Sequence, residues 1–285
     1  MNVLIFGITG LIGSGIFFSF LNRKDLNVYG TSRKILGNRD KKIKFEIKEN
    51  IDVKSIENII KNIKPRYIIN CIGITKHRVK ETSKNNIIKI NSVFPNTLSK
   101  LANKYECKLI QVSTDCVFSG TRGNYNENDS PDGIDLYAKT KIKGEILDQK
   151  HLTIRTSTIG NELGSSYGLM EWFLSQKDKC DGFSNAYFSG ITTHELSQII
   201  YEFVFKNDLL EGIVHISSKR ISKLDLLKTL KSVYNKNIEI NEYVDFYVDR
   251  SLDNSNFKRV TGYKEKTWIK MLNELTSIEH YYKSF

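Results

Sequence analysis

Apolar residues in this chain gather in short unbroken runs that alternate with longer stretches of helical period. Val3-Leu4-Ile5-Phe6 is the first run, closed by Gly7, the pattern of a strand buried on both faces of a parallel sheet. Leu11 to Leu21 then reads as a helix. Strand-like Val28-Tyr29-Gly30 and Ile43 to Ile47, a helical Ile51 to Ile63 and the run Tyr67-Ile68-Ile69 follow, the last two parted by Pro65. A helix over Asn91 to Tyr105, a strand over Leu109 to Val112, a helix over Leu136 to Leu147 and a strand over Leu152 to Ile154 continue the alternation.

With right-handed crossovers, that order predicts an α/β fold: a Rossmann-type, doubly wound parallel sheet with ligands at the carboxyl ends of its strands. After about Arg155 the rhythm loosens. Helical stretches Gly168 to Ser175, His194 to Phe205, Lys223 to Val233 and Thr267 to Ile278 are joined by shorter strand-like pieces. We therefore expect a dinucleotide-binding domain over 1–154 and a smaller α/β substrate-binding part over 155–285, with segments of the latter free to return to the sheet. No repeat or proline-rich linker separates the two, and all three prolines lie in the first half, so the parts should pack closely.

Composition narrows the function classes. With 285 residues, 40% apolar and 26% charged, the chain can bury a large core and is not of the disordered class. A formal net charge of +11 raises a polyanionic partner. The lysines, however, are scattered among Asn and Ile and form no patch, so no nucleic acid is expected, and a positive field suits a diphosphate ligand equally well. No apolar run approaches a membrane span and the N-terminus lacks a signal-peptide pattern, which points to a cytoplasmic protein with no membrane partner. Cys71, Cys107, Cys116 and Cys180 form no C-x-x-C pair, and His77, His151, His194, His215 and His280 form no H-x-x-x-H pair, so no metal site is predicted.

The glycine triplet Gly7-Ile8-Thr9-Gly10-Leu11-Ile12-Gly13 lies between the first strand and the first helix. There, glycines let the backbone approach a pyrophosphate, and the free N–H groups of the helix start favour its charge. The second strand ends in Gly30-Thr31-Ser32-Arg33-Lys34, where an NAD site would place a carboxylate. Arg33, helped by Lys34 and Ser32, can instead hold a 2′-phosphate, so NADPH (NADP) is preferred over NADH. Asn70-Cys71-Ile72-Gly73 closes the next strand at the same edge, with small residues for a cofactor to lie against and Cys71 read as a packing residue.

Tyr137-Ala138-Lys139-Thr140-Lys141 sets a phenol and an ammonium at i and i+4 on one helix face. The cation would lower the phenol pKa, making Tyr137 a proton donor and acceptor, and could bind a nicotinamide ribose. Of 14 tyrosines only Tyr137 fits this pattern. Thr114, 23 residues earlier at the end of a strand, could polarise a carbonyl beside it.

Taken together, the glycine triplet, Ser113-Thr114-Asp115-Cys116-Val117-Phe118-Ser119-Gly120 and Tyr-x-x-x-Lys resemble the extended short-chain dehydrogenase/reductases, in particular the dTDP-4-dehydrorhamnose reductase family. The resemblance covers nearly the full chain, through Asn91-Ser92-Val93-Phe94-Pro95, Gly144-Glu145, Arg155-Thr156-Ser157 and Arg250-Ser251-Leu252-Asp253-Asn254-Ser255. It implies a catalytic trio of Thr114, Tyr137 and Lys141, with Tyr137 protonating the oxygen as hydride reaches the keto carbon. It further implies substrate contacts from Asp115, Val117, Phe118, Trp172 and Arg250, though Trp172 also reads as a core residue of an amphipathic helix and Arg250 as a surface ion pair. Dehydratases of the superfamily carry Thr-Asp-Glu where this chain has Thr114-Asp115-Cys116, and the reductases usually carry tyrosine at the third place.

The expected function is NADPH-dependent reduction of a nucleotide-diphospho-4-keto-6-deoxysugar in surface polysaccharide or deoxysugar biosynthesis, by an oxidoreductase acting on its C=O group. The alternatives are a nucleotide-sugar epimerase and a non-catalytic regulatory subunit, since one relative partners methionine adenosyltransferase. A homodimer and a divalent metal at a subunit contact, used by some family members, stay open.

Overall fold

The computed structural model describes residues 1–33, 42–45, 51–163, 166–207 and 209–283. Seven parallel strands form one sheet: β1 (Asn2–Phe6), β2 (Asn27–Ser32), β3 (Lys42–Lys44), β4 (Tyr67–Asn70), β5 (Lys108–Val112), β6 (Leu152–Arg155) and a strand over Gly212–His215. Their order is β3-β2-β1-β4-β5-β6 followed by Gly212–His215, so the second half of the chain supplies the last strand, pairing Ile213 with Thr153 and Val214 with Ile154. The winding reverses between β1 and β4, and that is where a crevice opens at the carboxyl ends.

β1 shows why its apolar run is unbroken. Successive side chains point to opposite faces, and Val3, Leu4, Ile5 and Phe6 are all fully buried. Val3 and Ile5 join the larger core with α1 (Leu11–Leu21) and much of the second half, whereas Leu4 and Phe6 meet Ile56 and Ile60 of α2 (Val53–Ile63) on the other face. Both faces are thus covered, as an all-parallel sheet requires.

Two helices depart from their expected limits. Asn91 to Tyr105 is not one regular helix: a short α3 (Lys84–Ile88) runs into a π-helical turn over Lys89–Val93 before α4 (Phe94–Lys104). The helix expected to reach Leu147 is α5 (Leu136–Lys143), capped by the Asp135 carboxylate on the Ala138 amide and ended at Gly144. Beyond Arg155, short strands Ala186–Phe188, Ile221–Ser222 and Val248–Asp249 form a three-stranded sheet, and Lys179–Phe183 pairs with Glu239–Tyr243. Among the described residues no helix is long and apolar enough to cross a membrane.

Candidate active site

The glycine loop sits at the switch point. Gly7 has φ +89°, and a Cβ there would lie 2.8 Å from the Ile72 side chain. A Cβ on Gly13 would lie 2.1 Å from the Gly7 carbonyl oxygen, so that glycine lets α1 pack on the loop. Gly10 differs: it is exposed at the N-cap of α1, and a Cβ there would meet nothing nearer than the Gly7 oxygen at 3.6 Å. Packing within the chain therefore does not demand glycine at this position, and the space over it is open. The first turn of α1 carries no acidic residue and its N-cap makes no side-chain hydrogen bond, which leaves the amides around Leu11 and Ile12 to a phosphate. The loop thus fits a dinucleotide pyrophosphate. Thr9, Leu11 and Ile12, all half-buried, complete it.

At the end of β2, Ser32 is buried and Arg33 exposed; Lys34 lies outside the described residues. Asn70 is wholly buried, bonding Gln111 and accepting from the Ile72 amide, so it shapes the end of β4 and presents no free side chain. Burial pushes the half-buried Cys71 thiol up to about 12, drawn back only by Lys141, which keeps it protonated. Gly73 is exposed, with a Cβ position 3.9 Å from Lys141 Nζ.

Thr114, Tyr137 and Lys141 are brought together at the end of β5. The Thr114 hydroxyl donates to Asp115 Oδ1 (3.1 Å) and accepts from the Cys116 amide (3.1 Å), and it acts to lower the pKa of the neighbouring Tyr137 phenol. Lys141 is buried, its Nζ donating to the Val112 carbonyl at 2.8 Å. Burial pushes its ammonium down to about 8, against the pull of Glu145 and then Cys71.

The electrostatics of Tyr137 correct the sequence expectation. Burial pushes the phenol well above its ordinary pKa, with Cys116, Asp115 and Asp135 adding to the rise and Thr114 opposing it. Lys141 is not among the leading influences on it; its Nζ donates to the Val112 carbonyl. The phenol is held protonated. Cys116 is likewise held protonated, pushed up to about 12 by burial and by Asp115.

On the substrate side, Arg250 Nε and Nη2 donate to the Phe118 and Ser119 carbonyls at 2.9 and 3.0 Å, and its charge acts on Asp115. Asp115 is buried, and that burial raises its carboxyl pKa despite Arg250. Val117 and Phe118 point inward, fully buried with Tyr125 and Leu252, so as sugar-pocket residues they are corrected: their side chains pack in the interior. Trp172 is half-buried against the main core, the packing role that its helical spacing also allowed.

Two residues gain roles that sequence reasoning had not given them. Asn91, in the π-helical turn, accepts from the Ile74 amide (2.8 Å) and donates to the Ile74 carbonyl (3.0 Å) and to Thr140 (3.2 Å), tying α5 to the loop after β4. Lys223 opens the helix Lys223–Val233 and faces Asp115, Cys116 and Arg250 from the second half of the chain. A cation in the first turn works against the helix dipole. That local conflict, directly after the Ser222 cap, was the signal available in the sequence. Among the described residues no cluster of three His, Cys, Asp or Glu is placed to hold a metal ion.

Sheet order, glycine loop and the Thr114, Tyr137, Lys141 grouping define a Rossmann-type protein of the extended short-chain dehydrogenase/reductase kind. The chain belongs to the family described as the RmlD substrate binding domain, whose model matches residues 1–239. It is 32% identical over 144 residues to methionine adenosyltransferase 2 subunit beta of Bos taurus, a match covering 50% of this chain and 41% of that protein, less than half its length. It is 27% identical over 175 residues to the dTDP-4-dehydrorhamnose reductase of Salmonella typhimurium, covering 59% and 54%. The dTDP-4-dehydrorhamnose reductase of Bacillus anthracis, solved in complex with NADP, shares the fold with a TM-score of 0.79 at 21% identity, over 97% of this chain and 98% of that one.

Proposed function

We propose that this protein is an NADPH-dependent reductase of a nucleotide-diphospho-4-keto-6-deoxysugar, serving deoxysugar or surface-glycan synthesis. The observation that carries the reading is the grouping of Thr114, Tyr137 and Lys141 at the end of β5, with Cys116 and no carboxylate where a dehydratase has one. Reduction of a ketone needs a proton delivered to its oxygen. Elimination needs a further acid or base beside the phenol. The Cys116 thiol, itself held protonated, does not supply a base.

Bound NADPH supplies the hydride that the keto carbon accepts. The chain's own residues do the rest: the loop around Gly10 and the start of α1 hold the pyrophosphate, Arg33 with Ser32 and Lys34 take the 2′-phosphate, and Lys141 binds the nicotinamide ribose. Thr114 orients the keto oxygen and Tyr137 protonates it. Arg250 and Lys223, entering from the part after Arg155, meet the substrate diphosphate. Relatives named as dTDP-4-dehydrorhamnose reductases, one of them solved with NADP, support both the substrate class and the cofactor.

The test is NADPH oxidation with dTDP-, UDP- and GDP-linked 4-keto-6-deoxysugars. We expect stoichiometric oxidation with at least one, lost in Tyr137→Phe while NADPH still binds. Redox-neutral turnover would make the protein an epimerase. A second reading, a non-catalytic nucleotide-binding subunit, is favoured by the 32% identity to methionine adenosyltransferase 2 subunit beta. NADPH binding with no turnover of any of the sugars would select it.

A further inference from the structure

Directly behind the reacting groups lies a buried ion pair that none of the proposed steps uses. Glu145 and Arg155 have side chains only 3% and 2% exposed, and they meet in a bidentate pair, Nε to Oε1 and Nη2 to Oε2, both 2.8 Å. Burying two charges is costly, and a well-packed apolar pair would serve stability at least as well. The contacts of this pair point to what it does instead.

Glu145 Oε1 also accepts the Ser113 hydroxyl at 2.7 Å, and Ser113 is the residue before Thr114. Glu145 lies four residues after Lys141, and its charge is the leading attraction on that ammonium. On the far side the Arg155 guanidinium lies 5.2 Å from the Phe118 ring centroid, over a ring stacked on Tyr125 at 4.2 Å. Arg155 Nη1 meets His215 Nε2 at 3.4 Å, while His215 Nδ1 lies 3.1 Å from the Tyr125 carbonyl. Burial and Arg155 keep that imidazole neutral, so Nδ1 carries the proton and Nε2 accepts.

We propose that Glu145, held by Arg155, is a positioning residue for the reaction: it fixes Thr114 through Ser113, and its charge attracts the Lys141 ammonium four residues before it. The charged and titratable groups that act on Lys141 are Glu145, four residues on, and Cys71 just after β4. Those around Glu145 are Lys141 and Arg155, with His215, Glu127 and Asp253 beyond. Of these, Glu145 is the carboxylate that acts on Lys141. The proposal rests on the reductase reading for its purpose but not for its test.

Glu145→Gln alone would strand Arg155 without a counter-ion, so the decisive variant is Glu145→Gln with Arg155→Met, in the full chain bound to NADPH. The Lys141 titration is followed by NMR of nitrogen-15-labelled lysine side chains, assigned with Lys141→Arg. The expected midpoint falls below that of the wild type by about half a pH unit or more, because of the two opposite charges removed the carboxylate is the one that acts on Lys141. A midpoint left where it was overturns the electrostatic half of the proposal. Ser113→Ala keeps both charges and tests the other half, even if the double variant does not fold. Amide exchange of Thr114 to Val117 should quicken at least tenfold, and unchanged exchange overturns it. If no keto sugar is turned over by the wild type, the reductase reading fails alone and both readouts still decide.

Discussion

Gly144 lies under Asn91 so closely that a Cβ on it would sit 1.9 Å from the Asn91 carbonyl oxygen. This contact ends α5 at Lys143 and seats the helix against the π-helical turn, where Ser92 Oγ also donates to the Thr140 carbonyl at 2.8 Å. Since the oxygen belongs to backbone, a side chain at 144 cannot be accommodated by a rotamer change. Gly144→Ala is expected to cost about 3 kcal/mol, the upper end of overpacking, and to lower turnover by moving Tyr137 and Lys141. Chemical denaturation of wild type and variant checks it, and an equal midpoint would show that the contact opens freely.

Lys141 gives a pH dependence whose sign can be worked out. Its pKa is about 8 in the folded chain, below the ordinary lysine value of about 10.4 in the unfolded one. Between those values the unfolded chain binds more protons, so stability rises with pH across that window and the burial cost is fully felt below it. Lys141→Met should remove this rise, making the variant relatively most stable near pH 7 by up to about 3 kcal/mol and losing that margin by about pH 10.4. Turnover, which needs the ammonium, should fall above pH 8 in the wild type. Denaturation midpoints of both proteins from pH 6 to 10 measure the first effect; parallel curves would mean that burial does not shift the Lys141 pKa from its unfolded value.

Lys223 should matter to the substrate and not to the cofactor. Its ammonium is half-buried, facing Asp115 and Arg250, and desolvation lowers its pKa. A diphosphate arriving between Lys223 and Arg250 would regain charge-assisted hydrogen bonds worth about 1.5–3 kcal/mol. Lys223→Met is therefore expected to weaken dTDP binding, measured by calorimetry, by roughly tenfold or more, with NADPH affinity unchanged. Equal dTDP affinity would remove Lys223 from the substrate site.

Much of the sheet was legible because its strands are buried on both faces: an unbroken run as short as Val3 to Phe6, closed by a glycine, suits a strand between two covered layers and little else. The ends of helices were less so. Nothing in the apolar pattern of Leu136 to Leu147 announces that Gly144 must press on a carbonyl from a segment 53 residues earlier. The trio of Thr114, Tyr137 and Lys141 was visible from spacing and strand position. The direction in which Lys141 turns was not, since it depends on the Val112 carbonyl and Glu145. Val117 and Phe118 were misplaced for a similar reason: their burial is decided by Tyr125 and Leu252, partners that the local pattern does not name.

The glycine triplet allows structure and function to be separated by experiment, because its members are glycines for different reasons. At Gly13 a methyl group would fall 2.1 Å from the Gly7 oxygen and 2.8 Å from its carbonyl carbon, so either the loop or α1 must shift. At Gly10 the same group would meet only the Gly7 oxygen at ordinary contact distance, and φ is −85°, which any residue adopts. Gly13→Ala should therefore destabilise the chain by about 1–3 kcal/mol and weaken cofactor binding as a consequence. Gly10→Ala should leave the unfolding midpoint of the free protein within about 0.5 kcal/mol of wild type yet reduce NADPH affinity at least tenfold, since the methyl group occupies the space through which a pyrophosphate reaches the amides of α1. Fluorescence titration with NADPH and urea unfolding of the same two variants make the comparison. If Gly10→Ala binds NADPH as the wild type does, the dinucleotide does not lie over the start of α1 and the cofactor site must be sought elsewhere along the sheet edge.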